Sequence, residues 1–291
     1  MLPLLSKESR IRNRLKKLQL IASDIDGTLL RSNNVLSTPV REAISKVKSV
    51  GVHVVLLSNR TPLFVHKLSR VIDTPFPSVG LNGAVIIDQK GRYLKSWFLP
   101  SGVSHTVAEI ARKSGETSIV AFSADGVLYE REPRRIPQYL GELPEEIKRV
   151  DSLQPYYDST CMYVVSAPYT LIQDLSRKLS HRHQNEVVKI TYSSHSFPGI
   201  YYLEIRSRSV TKETALRWIL KRYGYTRREV AAIGDFDNDL EMCRYAGIGV
   251  AMANATHSLK RVCDIILRKT NEEDGAVDFL MDVYEVKSRI A

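Results

Sequence analysis

Apolar residues fall in short unbroken runs separated by stretches of helical spacing, and this alternation begins near residue 18. Residues 18–23 (LQLIAS) form a compact apolar run, the signature of a buried strand, and it stops at Asp24. Residues 37–51 (STPVREAISKVKSVG) offer Ser37 or Thr38 as a helix cap, Pro39 in the first turn and Gly51 as terminator. Val40, Ile44 and Val47 give that helix one apolar face. A second run, VHVVLLSNR, predicts a strand ending at Ser58, and TPLFVHKLSRVI a proline-opened helix with Phe64, Leu68 and Val71 on its inner face. A third strand is expected around residues 78–87 (SVGLNGAVII).

Strand, helix, strand, helix, strand predicts an α/β fold with a doubly wound, Rossmann-like parallel sheet. The pattern returns near residue 200. GIYYLEI reads as a strand, VTKETALRWILKRYG as a helix capped by Thr211 and stopped by Gly224, and EVAAIGD as a strand ending at Asp235. DLEMCRYAG then reads as a helix, GIGVAMAN as a strand, and GAVDFLMDVYEV as a closing amphipathic helix. Between the halves lie roughly 95 residues of other character, with a loop-like EPRRIPQYLGELPEE and a strand-then-helix pattern over residues 159–179. The expected organisation is therefore a core of residues 1–98 and 194–291 with an inserted α+β domain over 99–193.

Charge changes this picture little. The net charge is +10, but residues 1–19 alone carry six basic side chains against Glu8, so half the excess sits in a short N-terminal arm, 1–17. We read that arm as solvated and frayed, not as a nucleic-acid or membrane patch. The insertion is near neutral, with eleven Lys/Arg and twelve Asp/Glu from Ser96 to Ser194. No apolar run approaches the ~20 residues of a membrane span, and the three cysteines lie far apart without a CxxC pair. The expectation is a soluble cytoplasmic protein without disulfides or a zinc site. His181 and His183 lack a third ligand nearby, and REPRR (131–135) reads as a solvated loop.

The chemistry lies at the predicted strand ends, because open parallel sheets bind ligands beyond their carboxyl edge. Asp24 and Asp26 leave one face of an extended chain, and Gly27 permits the tight turn that tips them over that edge. A calcium loop of EF-hand type is excluded, since Thr28 and Val35 stand where ligands are required. GDFDND opens a helix and sets Asp235 and Asp239 four apart; taken alone it reads equally well as an acidic helix start. Four carboxylates on one edge repel unless one is protonated and the others share a divalent ion, and Mg2+ suits hard oxygen donors. Ser58, with the N–H groups that follow it, can hold an anion, and Lys212 sits at a helix start where a cation needs an anion beside it.

Four motifs in this order, DIDGTLL, LLSNR, VTKETAL and GDFDNDLEM, resemble those of the haloacid dehalogenase superfamily of phosphatases. GLNGAVI, GVAMANA, NEEDGAV and the place of the insertion resemble its Cof-type subfamily, whose large cap closes over the core and contacts the leaving group. The resemblance implies that Asp24 is the nucleophile and Asp26 the general acid and base. It implies that Ser58, Asn59, Lys212 and Asn238 hold phosphate oxygens. Metal binding falls to Asp24, Asp26 (through its main-chain carbonyl), Asp235 and Asp239, with Mg2+ as the cofactor. Asn59 and Glu213 stand where glycine is usual, and Ala253 replaces another frequent glycine. A phosphatase of small phosphorylated metabolites is expected. A phosphomutase would need a longer glycine-rich fourth motif, and an inactive binding protein would not fill every catalytic position. The sequence points to no oligomeric state.

Overall fold

The computed structural model describes residues 2–112, 117–123, 126–131, 147–194 and 197–290. The chain divides into two compact units, residues 1–94 with 211–291, and residues 95–210. The first half of the first unit runs α1 (Leu2–Leu15), β1 (Leu20–Ser23), α2 (Thr38–Ser49), β2 (His53–Leu56), α3 (Pro62–Val71), β3 (Ser78–Gly80), β4 (Val85–Ile87), β5 (Tyr93–Ser96). The insertion follows as α4 (Ser101–Arg112), β6 (Ser118–Ser123), β7 (Gly126–Tyr129), β8 (Ile147–Arg149), β9 (Thr160–Pro168), α5 (Tyr169–His183), β10 (Val187–Ser193), β11 (Ile200–Ser207). The chain then returns through α6 (Lys212–Tyr223), β12 (Val230–Gly234), α7 (Leu240–Tyr245), β13 (Ile248–Ala251), α8 (His257–Val262), β14 (Ile265–Ile266) and α9 (Ala276–Ser288).

The core sheet has the order β14-β13-β12-β1-β2, and every pairing in it is parallel. β1 lies between β2, reached through α2, and β12, which belongs to the returning half of the chain. That is the switch point at which such sheets open a crevice. β1, β2, β12 and β13 are buried along nearly their whole length, which is why they read as continuous apolar runs. Ser37 caps α2 by accepting the Val40 N–H, and Val40, Ile44 and Val47 are buried as expected, together with Ala43. Among the described residues no helix is long and apolar enough to cross a membrane.

Four features differ from expectation. α3 buries Val65, His66 and Ser69, while Val71 is 54% exposed. Its apolar arc and its buried side do not coincide, so spacing alone mis-set its inner face; small Ser69 is buried where it accepts a hydrogen bond from the Ser78 hydroxyl of β3. The strand expected over 78–87 is broken into the antiparallel pair β3 and β4 by a turn at Leu81, Asn82 and Gly83, all with positive φ. Asn-Gly is a turn dipeptide that the flanking apolar residues masked. β11, expected to begin the return of the core, pairs with β9 and β10 in the six-stranded sheet of the second unit. The basic arm forms α1, whose end is anchored: Arg14 donates two 2.8 Å hydrogen bonds to the Asp264 carboxylate, and Leu15 and Leu18 are buried.

The second unit has its own core, built from α4, α5 and one face of the sheet around Val103, Tyr163, Leu175 and Leu203. His183, set aside as a ligand, is held between Thr106 and Glu186. The loop-like stretch 132–146, with most of REPRR, lies outside the described residues.

Candidate active site

Asp24 follows β1 directly, and its N–H donates to the Ile233 carbonyl of β12, so the residue is seated at the switch point. Its carboxylate is 7% exposed, and Lys212 Nζ, fully buried, donates to Asp24 Oδ1 at 2.5 Å and to Asp239 Oδ1 at 2.7 Å. Lys212 is the first residue of α6, whose capping box joins Thr211 and Thr214. A cation is unfavourable against a helix N-terminus, and these two carboxylates supply the compensation. Asp239 Oδ2 accepts the N–H groups of Asp235 and Phe236, which closes the GDFDND turn. Glycine is required at two places here. A Cβ on Gly234 would lie 2.4 Å from Asp239 Cγ, and one on Gly27, at φ +71°, would lie 2.2 Å from Asp235 Oδ2.

One carboxylate oxygen from each of Asp24, Asp235 and Asp239 lies within 4.8 Å of the other two. Burial first, then the charge of Asp239, pushes Asp24 well above the usual carboxylate range despite Lys212. The same two causes lift Asp235 to about 6. Burial pulls Lys212 down, but Asp239 and Asp24 outweigh it and leave its pKa raised. Three carboxyls against one ammonium leave unbalanced negative charge, and the donors are all hard oxygens, so the cluster fits a divalent cation such as Mg2+. Both Asp239 oxygens are engaged by Lys212 and the main chain, so Asp24 and Asp235 have the carboxylate oxygens to offer, with Asp239 in support.

Asp26 stands apart from this cluster. Its side chain is 43% exposed and meets Arg60, whose Nη2 donates to Oδ1 at 2.8 Å and whose Nε lies 3.2 and 3.1 Å from Oδ1 and Oδ2. The two aspartates, two residues apart, are thus held by different cations. Ser58 is buried, its Oγ accepting the Arg60 N–H at 3.0 Å and its carbonyl the Asn82 N–H at 2.9 Å. Asn59 lies between them, half-buried and without a left-handed backbone. Asn238 Nδ2 donates to Asn82 Oδ1 at 3.1 Å. Glu213 turns to Arg217 along α6 and away from the cluster.

Four polar residues were not singled out from the sequence. Arg60 pairs with Asp26 across 34 positions, a contact no local spacing announces. Asn82, at φ +56°, joins the Ser58 loop to Asn238, and Gly83 packs so tightly on the start of α6 that a Cβ would lie 2.2 Å from the Thr211 carbonyl. Asn254 donates to the Gly27 carbonyl at 2.8 Å and to Asp235 Oδ2 at 3.3 Å. Asn271 donates its N–H to Asn254 Oδ1 and its side-chain amide to the Leu30 carbonyl. The stretches GLNGAVI, GVAMANA and NEEDGAV therefore each deliver an asparagine to the loops around the acidic cluster.

Comparison with known proteins agrees with this geometry. Residues 21–280 match the family described as haloacid dehalogenase-like hydrolase. Two proteins of Bacillus subtilis (strain 168) are similar over most of their length. The 5-amino-6-(5-phospho-D-ribitylamino)uracil phosphatase YitU is 27% identical over 282 residues, 92% of this chain and 98% of that protein. YcsE, of the same name, is 28% identical over 261 residues, 89% of this chain and 92% of that one. Among solved structures, a haloacid dehalogenase-like hydrolase from Bacteroides thetaiotaomicron superimposes with a TM-score of 0.78 at 26% identity, covering 91% of this chain and 99% of that chain. With its acidic cluster at the switch point of a parallel sheet and nearly its whole length matched, the chain is an enzyme and belongs to the haloacid dehalogenase-like hydrolases.

Proposed function

We propose that the protein is a cytoplasmic Mg2+-dependent phosphatase of small phosphorylated metabolites that works through an aspartyl-phosphate on Asp24. The observation that carries this reading is the Asp24 carboxylate at the carboxyl end of β1, buried, in contact with Lys212 at 2.5 Å and beside Asp235. Mg2+, held by Asp24, Asp235 and the main-chain carbonyl of Asp26, would offset the charge of the phosphate and polarise its oxygens. Ser58, Asn59, Lys212 and Asn238 hold those oxygens as charge redistributes during transfer.

The reaction proceeds in two displacements. An Asp24 carboxylate oxygen attacks phosphorus, the bond from phosphorus to the leaving oxygen breaks, and Asp26 gives that oxygen its proton, releasing the alcohol. A water then attacks the phosphorus of the aspartyl-phosphate, Asp26 takes its proton, and the bond to Asp24 breaks to release inorganic phosphate. Burial of Lys212 between two carboxylates keeps a fixed positive charge against the transferring group without reorganisation.

The names of YitU and YcsE make 5-amino-6-(5-phospho-D-ribitylamino)uracil, a phosphorylated pentitol on a pyrimidine, the first substrate to try. The test is release of inorganic phosphate from that compound and from p-nitrophenyl phosphate, with and without EDTA, for the wild type and Asp24→Asn. EDTA and the substitution should each abolish turnover while the variant stays folded, because the amide removes the nucleophile and one of the mutually repelling charges. Turnover that survives in Asp24→Asn overturns the covalent route.

A further inference from the structure

Arg60 is oriented from several sides. Its Nη2 donates to Asp26 Oδ1 and, at 2.7 Å, to Asn34 Oδ1, while its guanidinium lies 4.6 Å from the centre of the Phe64 ring. Asn34 is itself fixed in a left-handed turn at φ +61°. The Arg60 main chain is tied into the same loop, its N–H donating to Ser58 Oγ and its carbonyl accepting from Leu81. Exposed ion pairs are ordinarily weak and mobile. This one differs, because the arginine side chain is only 11% exposed while the aspartate it grips is 43% exposed. An aspartate that open to solvent has free rotamers unless a neighbour selects one, and Lys212 is already committed to Asp24 and Asp239.

We propose that Arg60 is a positioning residue: its planar fork fixes the rotamer of Asp26 so that the carboxyl meets the leaving-group oxygen, and Asn34 and Phe64 hold the fork. This rests on the reading of Asp26 as the acid and base. Preorganisation of this kind acts on the proton-transfer step. Its loss therefore weighs most on substrates whose leaving group needs a proton. A lysine keeps the charge but cannot reproduce the planar grip.

The test compares phenyl phosphate with p-nitrophenyl phosphate, near-isosteric probes whose leaving groups differ in basicity, in the Mg2+-loaded enzyme. Arg60→Met should lower kcat/KM for phenyl phosphate by about 10-fold or more, a fraction of what a general acid contributes, and for p-nitrophenyl phosphate by several-fold less. In an Asp26→Asn background the same substitution should change either value by less than about twofold, since the group it positions is gone. Arg60→Lys should show the same leaving-group bias at smaller size, and it carries the test if Arg60→Met does not fold. Equal loss on both probes, a further full loss in the Asp26→Asn background, or wild-type rates with lysine each overturn the inference. Full activity in Asp26→Asn alone instead overturns the acid–base reading on which it rests.

Discussion

A single ammonium group balances two buried carboxylates at the centre of this protein, and most residue-scale consequences follow from that ratio. Lys212→Met leaves Asp24 and Asp239 buried without a counter-charge; removing one partner of such a group costs about 3–5 kcal/mol, so denaturant titration should show a destabilised protein with no phosphatase activity. Asp235 gives a second, pH-dependent expectation. Burial and then Asp239 raise it to about 6 from 3.8. A carboxyl whose folded pKa lies above its unfolded value stabilises the fold while protonated, and that contribution is lost as pH rises through the folded value. EDTA-treated protein should therefore lose this part of its thermal stability between about pH 4 and pH 7. Mg2+ competes with the same proton, so the rise in Tm on adding Mg2+ should be larger at about pH 7.5 than at about pH 5. A metal-induced shift that is equal at both pH values contradicts the placement of Asp235 beside the ion.

At the scale of elements, what the sequence disclosed depended on whether a local rule had one solution. β1, β2 and β12 are parallel and buried, so unbroken apolar runs marked them and their ends marked Asp24, Ser58 and Asp235. α2 carries apolar residues on one side alone, and its inner face was legible for that reason. α3 also has an apolar arc, but the side it buries, Val65, His66 and Ser69, is offset from that arc and packs against β3, which spacing does not encode. Capping is likewise local, so Thr211 and Gly224 bounded α6 as expected. The partners that complete the site are remote: Arg60 with Asp26, Asn82 with Asn238, and Asn254 with the Gly27 carbonyl join groups that no window contains. Ile44 tests the element itself. It is 1% exposed on α2, so Ile44→Ala should cost about 2–4 kcal/mol by denaturant titration while leaving kcat unchanged, because α2 packs on α9 and β2 and carries no residue of the acidic cluster.

For the whole molecule, the decisive fact is that each unit has a core of its own. Leu203 is fully buried among the inner residues of the second unit, whereas the acidic cluster belongs wholly to the first. Leu203→Ala should therefore accelerate hydrogen exchange within residues 95–210 and leave Mg2+ affinity unaltered; weakened Mg2+ binding would show that the two cores are not independent. The order of the chain has a further consequence through Asn254 and Asn271. These residues brace the Gly27 and Leu30 carbonyls, and the Arg31 guanidinium is gripped by Asp274. The loop bearing the nucleophile leaves the ribosome 227 to 243 residues ahead of the side chains that fasten it. A nascent chain halted short of residue 254 carries every catalytic carboxylate and still lacks the ties that fix their loop, so hydrolytic competence should arrive only after residues 254–274 have emerged.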